Sequence, residues 1–104
     1  MSNPTEAISG LRRLPWKTES GKPAYLSADD PNSLLAVMAD TVEAQMLASA
    51  EEVLRFARDL LAGGTPLTAD EIAYTAQRLT ECLADAVRVA TLRGERLPEP
   101  VDAP

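Results

Sequence analysis

The chain contains no histidine, one cysteine and only four aromatic residues in 104. Without imidazole there is no Ser-His or Cys-His nucleophile pair and no histidine metal ligand. A lone Cys82 allows neither an intrachain disulfide nor a thiolate zinc cage. No stretch reaches the ~20 consecutive apolar residues of a membrane span, and the N-terminal residues lack the apolar core of a signal peptide. Long runs of one charge sign are also missing, yet the charge is unevenly spread. Residues 1–27 carry a net +2, residues 28–70 a net −6 and residues 71–104 a net −2, for −6 in all. A duplex binder needs a basic footprint that releases counterions from phosphate. Only the short N-terminal arm offers one, so direct nucleic-acid binding is not expected. A cytoplasmic location is.

What is present is helix-forming material. Seventeen alanines and few aromatics point to helices packed through small side chains, in one domain at this length. The expected class is all-α: a long antiparallel helical hairpin with an extended or hairpin-like N-terminal arm. Arm, hairpin and flexible tail are expected at 1–29, 30–96 and 97–104. In the arm, two apolar patches between Leu14 and Leu26 flank a Glu-Ser-Gly turn signal, although Pro15 and Pro23 each remove a strand donor.

The first helix is expected over about 31–62, with Asp30 as N-cap, Pro31 in the first helical position and Gly63-Gly64 as the stop. Its apolar positions Leu35, Met38, Val42, Met46, Ala50, Val53, Ala57 and Leu60 are spaced 3, 4, 4, 4, 3, 4, 3. The eleven-residue step from Val42 to Val53 predicts a nearly straight rod. The second helix is expected over about 69–93. Thr68 and Glu71 form a capping-box pattern, and Gly94 is the expected end. Ile72, Ala76, Leu79, Leu83, Ala86 and Ala90 supply a heptad-phased stripe of coiled-coil type.

One helix–helix seam cannot hide that much apolar surface. Leu47, Leu54 and Leu61 form a shoulder on the first helix. Each leucine-sized group left wet forgoes about 1.5–3 kcal/mol. The expected solution is a homodimeric four-helix bundle, with another protein as a further partner. Trp16, Tyr25 and Leu26 on the arm, with Leu47, Leu54 and Leu61, are the candidate protein-contact residues, since large aromatics on a short arm are typical interface anchors. Arg12 and Arg13 beside them could meet the acidic middle of a second copy.

Four acids form the alternative site. Asp40 and Glu43 on the first helix, with Glu81 and Asp85 on the second, could hold Mg²⁺ if they lie at similar heights. That is the plan of all-α nucleotide pyrophosphohydrolases, with E-x-x-E and E-x-x-D motifs. Asp40-Thr-Val-Glu43 and Glu81-Cys-Leu-Ala-Asp85 depart from both, and the plainer reading is a solvated acidic face without metal or cofactor. Glu43, close to the apolar shoulder, is expected to pair with an arginine, with Arg88 the candidate. Gln45 and Ser49 either set register across the bundle or flank the core. Cys82 reads as a small buried hydrophobe.

Arg13-Leu-Pro-Trp16, Gly21-Lys-Pro-Ala-Tyr-Leu26 and Arg93-Gly-Glu-Arg-Leu-Pro98 resemble a group of small actinobacterial helical proteins. The resemblance implies a bacterial cytoplasmic origin and no particular activity. Helical-hairpin secretion partners share the length but carry a Trp-x-Gly turn where this chain has Gly63-Gly64-Thr65-Pro66, so that assignment is set aside. The expected function is a non-enzymatic interaction module, adaptor or regulator. The alternatives are the Mg²⁺-dependent hydrolase and an accessory of a DNA-binding regulator that acts through protein contact.

Overall fold

The computed structural model describes residues 10–27, 29 and 32–98. Two strands, β1 (Leu11–Lys17) and β2 (Pro23–Ser27), precede two long helices, α1 (Leu34–Ala62) and α2 (Ala69–Glu95). The molecule is thus mostly helical. The arm forms a small antiparallel hairpin, one of the two forms expected of it, so the class is mostly helical and not strictly all-α.

The sheet forms despite its prolines because of where they fall. Pro23 is the first residue of its strand, and Pro15 lies where the register slips between Arg13 and Lys17. Neither position requires a ladder amide. The loop closes on Thr18: its amide donates to the Lys22 carbonyl at 2.8 Å, and its carbonyl accepts from the Gly21 amide at 2.9 Å. Gly21 has φ +82°, a left-handed value that a residue without Cβ adopts cheaply.

Ser33 caps α1. Its hydroxyl accepts from the Ala36 amide, in place of the expected Asp30 cap. Asp30 and Pro31 lie outside the described residues, as do 1–9 and 99–104. The helix ends at Gly63, whose amide donates to the Asp59 and Leu60 carbonyls without a left-handed turn. At α2 the capping box is complete: the Glu71 amide donates to Thr68 Oγ1 at 3.1 Å, and the Thr68 amide donates to Glu71 Oε1 at 2.9 Å. Replacing Thr68 with Ala should lower stability by ~1 kcal/mol, readable as a shift in the thermal melt. Helix α2 does not stop at Gly94. It runs to Glu95 and is capped by Arg96, two residues beyond the expected end.

The packing seam also departs from expectation. On α1 the inward positions are Ala36, Ala39, Glu43, Met46, Ala50, Val53, Ala57 and Leu60, all buried or half-buried. Their spacing is 3, 4, 3, 4, 3, 4, 3, an unbroken heptad, so the eleven-residue step disappears. The expected positions Leu35 and Met38 are each 46 % exposed. Stepping around the charged Glu43 is what displaced the apparent stripe by one residue. On α2 the buried positions are Thr75, Cys82, Val89 and Leu92. The Thr75 hydroxyl is satisfied by donating to the Glu71 carbonyl. Four alanines on α1, and Thr75 and Cys82 on α2, keep much of the seam small-sided. Leu79 and Ala86 of the expected α2 stripe are half-buried, while Ile72, Ala76, Leu83 and Ala90 face outward. Gln45 and Ser49 are exposed and flank the seam.

Candidate functional site

The centre of the structure is a charge cluster at the open end of the helical hairpin. Glu43 on α1 is fully buried and accepts from three arginines. Arg96 forks onto it, Nη1 to Oε2 at 3.1 Å and Nη2 to Oε1 at 3.0 Å. Arg93 Nε donates to Oε1 at 3.3 Å, and Arg12 Nη2 donates to Oε2 at 3.3 Å. Arg12, from β1, also donates to Asp40 Oδ1 at 2.7 Å and to the Ala36 carbonyl at 3.3 Å. Its Nε is buried without a hydrogen-bond partner. Beside the cluster Arg13 clasps Glu95 through two bonds of 3.1 and 2.7 Å.

Local chemistry places each group. Arg93 lies in the last turn of α2, where a cation also suits the negative end of the helix. Arg96 reaches the carboxylate because α2 continues past Gly94. Arg12 arrives on a strand fixed against both helices. A buried carboxylate survives only when its charge is compensated and its lone pairs are filled. Here both oxygens are.

Burial pushes the Glu43 carboxyl up, while the bonds and charge of Arg96, then the bonds from Arg93 and Arg12, pull it down. The net value lies below the ordinary 4.5. The sign for stability follows: a depressed folded value means stabilisation present above about 4.5 and lost as pH falls through the folded value. Acidification below pH 4.5 should therefore lower the melting temperature, and Glu43→Gln should flatten that dependence in circular-dichroism melts at several pH values.

Arg88 is not the partner of Glu43. Its Nη1 points to the Pro15 carbonyl at 3.5 Å. Glu43 is reached instead by Arg93 and Arg96, five and eight residues further along the chain. The four acids are consequently not brought together. Asp40 is tied to Arg12, Glu81 is bonded to Arg78 and Gln77, and Glu43 is enclosed by cations. Among the described residues no group of three or more acidic or cysteine side chains is arranged to hold a metal ion. Millimolar Mg²⁺ should leave the thermal melt unchanged, whereas a rise of several degrees that vanishes in Asp85→Asn would favour the hydrolase alternative.

The expected contact residues are spread along the rod. Trp16 and Leu26 are half-buried on the hairpin and Tyr25 is 43 % exposed. Leu47 is half-buried, Leu54 is 42 % exposed and Leu61 75 %. Cys82 is buried and unpaired. Sequence reasoning missed Arg12, Arg93 and Arg96 as partners of Glu43. The available signal was Glu43 itself, an acid at an unbroken heptad position with arginines at both ends of the chain.

Among the described helices none is long and apolar enough to cross a membrane. Compared with family models, curated proteins and solved structures, the chain matches none.

Proposed function

We propose that the protein is a non-enzymatic interaction module that self-associates as a homodimeric four-helix bundle and serves another protein as adaptor or regulator. One observation carries the reading, the imbalance between buried and exposed apolar groups. Among the described residues the buried hydrophobics include only Leu14, Val89 and Leu92 as large aliphatic side chains, with three alanines and a cysteine beside them. Fourteen large hydrophobics are exposed, including Ile72 at 54 %, Leu83 at 65 % and Val87 at 56 % on α2. Burying each fully is worth about 1.5–3 kcal/mol, and contiguous exposed apolar surface marks contact sites.

A second copy is the partner that the pattern favours. The outward positions Ile72, Ala76, Leu83 and Ala90 of α2 are spaced 4, 7 and 7 and lie beside the seam that packs on α1. A stripe of this kind is self-complementary across a twofold axis. Sedimentation of the full chain tests it: a dimer whose population rises with concentration is expected. A single-copy species up to millimolar concentration would remove the proposal.

A further inference from the structure

A shallow groove runs between β1 and the C-terminal half of α2. Its lining is apolar where Leu14 and Leu92 lie buried beside the half-buried Trp16 and the exposed Pro23, and cationic where Arg13, Lys17 and Arg88 border it. We propose that this groove receives an acidic peptide segment of another protein, with one apolar side chain on the apolar lining and carboxylates on the cationic border. The inference rests on the interaction-module reading and gives the partner its chemistry.

Size limits the occupant first. The groove measures about 110 Å³, well below the ~300–1,000 Å³ of small-molecule sites and somewhat smaller than the ~150 Å³ that admits benzene. It takes one side chain and no more. Charge then selects the rest. The chain carries −6 overall, yet the border brings together three cations, of which only Arg13 is ion-paired, to Glu95. Among the described residues the Lys17 side chain has no hydrogen bond or ion pair. Arg88 reaches only the Pro15 carbonyl, at 3.5 Å. An acidic segment is repelled by most of this surface and drawn to this place. A nucleic acid would meet the same repulsion without enough cations to offset it. A second copy is better matched by the apolar stripe of α2, which needs no cationic border.

Trp16 is the single tryptophan of the chain, so its fluorescence reports the apolar lining directly. The probe is a capped hexapeptide, Asp-Glu-Leu-Phe-Glu-Asp, titrated into the full-length protein. Saturable binding is expected, weakened about tenfold by Lys17→Glu or Arg88→Gln, a change of about 1.4 kcal/mol, with unchanged circular dichroism. Raising salt from 50 to 300 mM should weaken it as well. Four results would overturn the proposal: no saturable signal at millimolar peptide, equal binding of a peptide with lysines for the acids, equal binding with alanines for the Leu-Phe pair, or dissociation of the dimer by the peptide, which would assign the groove to the second copy. Peptide binding by a protein that sediments as a single copy would support the groove and remove only the dimer.

Discussion

Glu43→Gln should lower the stability of the chain by ~3–5 kcal/mol, the usual cost of removing one member of a buried ion cluster. In a domain of this size that is a fall in melting temperature of more than ~12 °C. The substitution keeps the shape of the side chain and removes its charge. Three guanidinium groups would then converge on a neutral amide, with Arg12 already holding one buried nitrogen unpartnered. The loss should be graded by exposure. The Arg12 side chain is 11 % exposed and Arg93 is 49 % exposed. Arg12→Met should therefore cost much more than Arg93→Ala, which should fall within ~1 kcal/mol. Thermal melts of the three variants provide the check. A Glu43→Gln protein as stable as the parent would show that the cluster contributes nothing to folding.

Leu83→Glu should abolish self-association while sparing the fold of the single copy. Leu83 is 65 % exposed on α2, so a carboxylate there remains hydrated in the isolated chain and costs little. In the proposed bundle of two copies the same position would be buried, and by twofold symmetry the charge would enter twice. Truncation of an interface centre alone costs 2 kcal/mol or more, and desolvating an unpaired carboxylate adds to that. A rise of the dissociation constant by at least ~100-fold is expected. The readouts are sedimentation for assembly and circular dichroism for the fold. Unchanged assembly would move the interface away from this stripe, to the Leu54 and Leu61 shoulder of α1.

Much of the architecture was legible because local chemistry and tertiary packing agree. Thr68 and Glu71 announce a capping box and form one, since both partners lie within a single turn. The Glu-Ser-Gly turn predicts the hairpin, and Gly63-Gly64 predicts the break between helices. The seam of α1 was misread because hydrophobic periodicity treats a carboxylate as an interruption. The heptad passes straight through Glu43, and the apolar residues beside it, Leu35, Met38 and Val42, imitate a stripe one position away. Its cluster was not legible for a related reason. Arg12 and Arg96 lie 31 and 53 residues from Glu43, and no local pattern encodes a contact at that range. Glu43 pairs with Arg93 and Arg96, five and eight residues beyond Arg88, and Arg88 lies beside Pro15 instead. The end of α2 was placed early because glycine is a common helix stop, yet Gly94 lies inside the helix with nothing within 4 Å of where a Cβ would stand.

The Glu43 carboxylate collects donors from two distant stretches of chain: the first strand, and the last turn of α2 together with the residue that caps it. Neither stretch alone completes the set. The arm therefore behaves as a logical AND: it seats fully only when both rods are side by side in register. A slip in register between the rods would strip donors from Glu43, so the seating of the arm and the alignment of the helices are coupled through one carboxylate.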